Sequence, residues 1–570
     1  MRCNIRLISL ATALASVGVS TPVPTSNDTA TVSVVLPAGT VVGSVGEDGV
    51  EYFRGIPFAQ SPTGPLRLKA PVRLEKFESG SVQATGLGPA CPQNPALDIT
   101  PLLFSAITLP GVQDTLLYGS ATGDETEDCL TISVMRPKGI CADEKLPVLF
   151  WIYGGGFQTG STQMYDGSVL IPESVTQGKP FILVSVNYRL GAFGFLGGSE
   201  VLADGSANLG LLDQRMGLEW VADNIAAFGG DPDAVTIWGQ SAGAMSVFDQ
   251  LALFDGNNTY NGQALFRGAI MNSGSILPTE PVDGDKAQGI FDSVAEAAGC
   301  ASPKNSTKLE CLRGVDYETF VNASNSVPTY LGYNSLAFSY APRADGRVLT
   351  ASPEVLAQEG KYAAVPIIIG NQENEGTVFS LFQSGLDTEA DLITYLNTVF
   401  FPNATKEEIE GLVATYPSNP DSPAGIGPSN VTYPEFKRLA AILGDYEFTF
   451  MSRLLLETFP KNVSAWSYQA TYASGTPILG TFHATDLPYI FLQTDAVSKS
   501  IQDLYISFVH CLDPNGYVPS NHSSYLQYWP TWQEKKKLLE FGAESTSLIN
   551  DTERAESFEY ISSRLETLRI

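Results

Sequence analysis

The sequence predicts an α/β protein built on a large, mostly parallel sheet, and two observations carry that expectation. Short apolar runs at 148–152, 181–186, 235–238, 269–271 and 367–369 lack the polar alternation of a half-exposed strand. They alternate with helix-like stretches, the pattern of strands covered on both faces. Hydrophobic residues make up 44% of the 570, ample for a sizeable core, and no repeat or low-complexity linker divides the chain.

Taken in order, the first element is not part of the fold. Arg2 and Arg6 precede an apolar stretch at 7–19, and Ala13, Ala15 and Ser20 offer small residues for cleavage. Residues 1–20 therefore read as a secretory signal peptide. The run is shorter than the ~20 residues a membrane span requires, and no other segment could span. Nine Asn-x-Ser/Thr sequons begin at Asn27, Asn257, Asn305, Asn322, Asn403, Asn430, Asn462, Asn521 and Asn550, candidate glycosylation sites in a secreted chain.

The run at 146–153 leads straight into Gly154-Gly155-Gly156-Phe157. Glycines there let the backbone approach a reacting carbonyl and offer its N–H groups as donors. The run at 234–238 leads into Gly239-Gln240-Ser241-Ala242-Gly243, and a helix-like stretch follows at 244–253. A bare G-x-S-x-G is weak evidence in a chain with 53 glycines, but this strand–turn–helix context is what a nucleophile elbow requires.

A serine nucleophile needs a base, and the chain has three histidines. His510 lies in an apolar stretch and reads as a hydrogen-bonded core residue; His522 lies inside a sequon and reads as solvent-facing. His483, just after a strand-like segment at 466–472, remains. The run at 365–370 delivers Asn371-Gln372-Glu373-Asn374-Glu375-Gly376 at its end, where open α/β sheets carry catalytic groups. Glu375 is the preferred acid, and Glu373 is a rival that sequence mechanics alone do not separate from it.

These motifs resemble those of the type-B carboxylesterase/lipase family of α/β-hydrolases, above all its large secreted fungal lipases of the Candida rugosa and Geotrichum kind. The family's cysteine signature reads Glu127-Asp128-Cys129-Leu130, and its oxyanion loop reads 151–157. Asn187-Tyr188-Arg189, Asp213-Gln214-Arg215, Asn374-Glu375-Gly376 and Gly480-Thr481-Phe482-His483 fall in family order. The resemblance implies a single hydrolase domain over 21–570. It also implies Ser241 as nucleophile, His483 as general base, Glu375 as the orienting acid, and the N–H groups of Gly155, Gly156 and Ala242 as oxyanion donors. Two departures stand out: Gln240 occupies a position usually held by Glu, and Asn374 one usually held by Asp.

The resemblance further implies disulfides Cys91–Cys129 and Cys300–Cys311, and leaves Cys141 and Cys511 as a pair or, in preference, as buried thiols. Within the first loop, Leu102, Leu103, Phe104, Ile107, Leu109, Val112, Leu116 and Leu117 crowd one stretch. Such a stripe is either a helix packed on the core or, as in the fungal lipases, a movable lid over 94–124. None of the six tryptophans falls between Cys91 and Cys129, which argues against a choline site and for an apolar acyl chain. Met245, Val378 and Phe379 flank the catalytic motifs and are candidates for an acyl pocket.

No cofactor or metal is expected, since no CxxC occurs and the histidines are not at ligand spacing. A net charge of −28 disfavours nucleic acid and anionic membrane partners. The expected partner is a small-molecule or lipid ester met at a lipid–water interface, with the oligomeric state open. The expected function is a secreted lipase or esterase. A sterol esterase or short-chain carboxylesterase is the alternative, and a catalytically silent binding protein or a serine peptidase the reading from another class.

Overall fold

The computed structural model describes residues 30–94, 124–417, 431–516 and 525–570. The signal peptide, all of the proposed lid except Asn94 and Asp124, and His522 lie outside the described residues. Fifteen strands occur among those described: β1 (Thr31–Leu36), β2 (Gly39–Val45), β3 (Val50–Pro57), β4 (Ser81–Gln83), β5 (Thr131–Pro137), β6 (Leu146–Ile152), β7 (Ile182–Val186), β8 (Gly230–Gln240), β9 (Thr259–Tyr260), β10 (Gln263–Ala264), β11 (Gly268–Asn272), β12 (Ile367–Gln372), β13 (Ala465–Ala470), β14 (Lys537–Phe541) and β15 (Thr546–Asn550). Thirteen of them form one sheet, in the order β1-β2-β3-β5-β7-β6-β8-β11-β12-β13-β14-β15 with β4 beside β2, while β9 and β10 pair separately.

The strands from β7 to β14 run parallel, and antiparallel pairs close both flanks. Each of the five apolar runs assigned to the sheet in the sequence lies in or beside one of these parallel strands. Their apolar character follows from burial on both faces. Phe150 of β6 packs toward Gly217 in the helix Leu209–Asn224, while the next residue, Trp151, meets Trp238 and Phe491 edge to face on the other side. The helix Ala242–Gly256 packs on β8 and β11, and the helix Ala496–Cys511 packs toward β6. This is the architecture of the α/β-hydrolase fold that the resemblance implied.

The topology also places the site. From β6 the chain steps to β7 on one side, and then to β8 on the other, so the strand order reverses there. The crevice outside the carboxyl ends of strands at such a switch point is where open α/β sheets hold their ligands.

Cys91–Cys129 and Cys300–Cys311 are bonded as expected. The expectation of two buried thiols fails for Cys141 and holds for Cys511 only as to the thiol. Cys141 is disulfide-bonded, in a half-exposed turn between β5 and β6 that offers a thiol no apolar shelter. Cys511 is a free thiol but an exposed one, because the last turn of its helix leaves the core. All six sequon asparagines within the described residues are exposed.

Candidate active site

The elbow at the end of β8 is built by sterics. Ser241 sits at φ 59°, ψ −131°, a conformation side chains rarely adopt, and its N–H donates to the Asn272 carbonyl at 2.9 Å. A Cβ on Gly239 would stand 2.2 Å from the Gly243 carbonyl oxygen, and one on Gly243 would stand 2.1 Å from that of Ile152. Only glycines pass there, so the turn is tight enough to lift the serine hydroxyl off the sheet edge.

His483 arrives from the loop after β13. Its Nε2 lies 2.8 Å from Ser241 Oγ, and its Nδ1 lies 2.5 Å from Glu375 Oε2. A carboxylate only accepts, so Nδ1 carries the proton and Nε2 accepts from the serine. Glu375 Oε1 accepts from the Gln372 N–H at 2.7 Å, which fixes the carboxylate from behind. The two loops are tied to each other: Asn374 N–H donates to the Thr481 carbonyl, and Thr481 N–H donates to Asn374 Oδ1, both at 2.9 Å. The rings of Phe448 and Phe379 flank the imidazole, at 4.6 and 5.0 Å between centroids. His483 and Glu375 are thus held in rigid surroundings next to a serine that lines a pocket.

Gln240, the departure before the serine, turns its amide inward, with Nε2 at 3.3 Å from His483 Nε2. It is a neutral donor where the family usually has a charge. Asp486 lies three residues past His483, wholly buried, and Asn272 Nδ2 donates to it at 2.7 Å. Burial pushes its carboxyl up to about 6. Nothing in the sequence marked it beyond its nearness to His483.

The glycine loop after β6 forms the floor. Gly155 and Gly156 have φ of +107° and +61°. Among the described residues, the N–H groups of Gly155, Gly156 and Ala242 have no backbone acceptor. The loop is braced from behind: Tyr188 Oη donates to the Tyr153 carbonyl at 2.7 Å, and the two rings stack at 4.5 Å. Arg189, next to Tyr188, forks onto buried Asp213 at 2.8 and 2.7 Å. That pairing accounts for the Asn-Tyr-Arg and Asp-Gln-Arg stretches as structural supports.

Ser241 and His483 open onto a small pocket whose apolar lining includes Met164, Phe379 and Leu487, with Tyr165, Thr159 and Tyr330 as hydroxyl-bearing members. Of the acyl-pocket candidates, Phe379 lines it; Met245 and Val378 are buried but are not among the lining residues. The carboxylate of Glu373 has Glu553, Glu540 and Arg554 as its charged neighbours. His510 is half-buried on the last turn of its helix, its Nε2 at 2.9 Å from the Lys179 carbonyl. Among the described residues, no cluster of three or more His, Cys, Asp or Glu side chains is arranged to hold a metal ion.

The profile of the carboxylesterase family matches residues 29–560. The chain belongs to the carboxylesterase family. It is a serine ester hydrolase by that membership. A secreted triacylglycerol lipase of Gibberella zeae is 50% identical over 553 residues, covering 95% of this chain and 91% of that one. A secreted lipase of Botryotinia fuckeliana is 49% identical, covering 95% and 94%. The crystal structure of Aspergillus niger EstA superposes with a TM-score of 0.79 at 28% identity, covering 95% of this chain and 99% of that one. Among the described residues, no helix of this carboxylesterase is long and apolar enough to cross a membrane.

Proposed function

We propose that this carboxylesterase is a secreted lipase that cleaves lipid esters, such as triacylglycerols, through an acyl-enzyme on Ser241. Neutral His483 takes the Ser241 proton as Oγ attacks the ester carbonyl, and Glu375 balances the imidazolium that forms. The N–H groups of Gly155, Gly156 and Ala242 receive the oxyanion. His483 then gives its proton to the leaving alcohol. A water, activated the same way, attacks the acyl-serine and frees the acid.

One observation carries this reading: an unbroken Ser241–His483–Glu375 chain of hydrogen bonds, at 2.8 and 2.5 Å, beside a cavity floored by the glycine loop. The names of the relatives support a lipid ester and a secreted enzyme. The same reading takes residues 1–20 as the leader, 21–570 as one hydrolase domain, and 94–124 as a lid that opens at a lipid–water interface. The stem of that segment lies against the site, since Asn94 N–H donates to the Gln158 carbonyl at 2.8 Å and Gly160 N–H donates to Gln93 Oε1 at 2.6 Å.

Hydrolysis of p-nitrophenyl butyrate and of micellar p-nitrophenyl palmitate, by the wild type and by Ser241→Ala, tests the proposal. The expected result is a preference for palmitate and a loss of about 10⁶ in kcat in the variant. A preference for butyrate makes the protein a short-chain carboxylesterase with a merely structural 94–124 segment. Cleavage of a cholesteryl ester over a triacylglycerol makes it a sterol esterase. Equal activity of the variant on both p-nitrophenyl esters overturns Ser241 as nucleophile.

A further inference from the structure

Two consecutive glycines at positive φ make a flexible place to mount an oxyanion donor. A trans peptide points its carbonyl and the following N–H in opposite directions, so whatever fixes the Gly155 carbonyl also aims the Gly156 N–H. That carbonyl accepts three hydrogen bonds: from the N–H groups of Gln158 and Thr159, each at 3.0 Å, and from the Thr159 hydroxyl at 3.2 Å. The third is a side-chain bond and leads further. Thr159 has one hydroxyl proton, and it is spent on Gly155. Tyr330 Oη, 3.1 Å from Thr159 Oγ1, must therefore be the donor between the two hydroxyls. Burial raises the Tyr330 phenol above its ordinary range and keeps it a neutral donor.

Tyr330 also covers the loop sterically. A Cβ on Gly156 would stand 2.7 Å from Tyr330 Cγ, so the ring lies directly against the glycine whose N–H is at issue. The Tyr330 backbone N–H donates to Gln158 Oε1 at 3.3 Å, tying its segment back to the same loop.

We propose that Thr159 and Tyr330 are positioning residues for the Gly156 oxyanion donor. The relay from Tyr330 hydroxyl to Thr159 hydroxyl to Gly155 carbonyl holds the Gly155–Gly156 peptide in its working orientation before the ester binds. The inference rests on the acyl-enzyme reading at Ser241. Neither hydroxyl needs to touch the substrate, so the effect falls on transition-state stabilisation and leaves ground-state binding alone.

The test uses Thr159→Val, Thr159→Ser and Tyr330→Phe in the full-length enzyme, with kcat and KM on p-nitrophenyl butyrate. It adds the inhibition constant of an alkyl trifluoromethyl ketone, whose serine adduct carries an oxyanion. Thr159→Val is expected to lower kcat about tenfold, less than the ~10²–10³ that losing a whole donor costs, while KM stays within about twofold. Ketone affinity falls by the same factor as kcat. Tyr330→Phe falls in the same direction by less, and Thr159→Ser stays near the wild type. If Thr159→Val does not fold, Tyr330→Phe decides, with its thermal midpoint as the control. Wild-type kcat and ketone affinity in the valine and phenylalanine variants overturn the positioning role, as does a rise in KM at constant kcat. Ketone binding that is unchanged by Ser241→Ala overturns the underlying acyl-enzyme reading instead.

Discussion

Glu373 and Glu375 stand two residues apart on the loop after β12, and their carboxylates have opposite surroundings. Glu375 is buried against His483 Nδ1 and the Gln372 N–H, with both oxygens satisfied by donors. One oxygen of Glu373 is buried without a hydrogen-bond partner among the described residues. Burial and the nearby Glu553 and Glu540 push its carboxyl up to about 7. The difference teaches that a carboxylate is fixed in place through the donors that meet it. Burial alone leaves it a strained bystander.

The largest expected effect that separates the two is catalytic. Glu375→Gln leaves the shape of the site intact but offers His483 Nδ1 a wrong or neutral partner. It should lower kcat on p-nitrophenyl butyrate by about 10³–10⁴, as the loss of an orienting carboxylate does in serine triads. Glu373→Gln should leave kcat and KM within about twofold. A large loss from the Glu373 change, or none from the Glu375 change, would reverse the assignment.

A smaller effect belongs to Glu373 alone. Its folded pKa lies above its unfolded value, so the folded state holds the proton more tightly. The stability this contributes is fully present below the unfolded carboxylate range and is lost as pH rises through about 7. Asp486, pushed up to about 6, acts with the same sign. The wild-type thermal midpoint should therefore fall between pH 5 and pH 8. Glu373→Gln, which has no proton to lose, should fall by less over the same range. An equal fall in both proteins would show that Glu373 is ionised freely in the folded state.

Much of this site was legible in the sequence because its signals are local. The elbow needs two glycines around one serine within five residues, and the oxyanion loop needs its glycines directly after a buried strand. His483 followed from there being only three histidines. Local sequence mechanics left Glu373 and Glu375 unseparated and only the family motif favoured Glu375, because the geometry depends on the Asn374–Thr481 bonds between two loops more than a hundred positions apart. Thr159 and Tyr330 meet across 171 positions, and neither carries a motif of its own. Met245 and Val378 looked like pocket residues because they adjoin catalytic motifs. Neighbours along a chain can face opposite sides of a turn, and these two are packed into the core.

The most direct measurement is the site of covalent labelling by diethyl p-nitrophenyl phosphate, read by peptide mass spectrometry alongside loss of esterase activity. One phosphoryl group per chain on Ser241, with inactivation in step and no labelling in Ser241→Ala or His483→Ala, is the predicted result. Labelling at another residue, or full inactivation with Ser241 unmodified, would contradict the account.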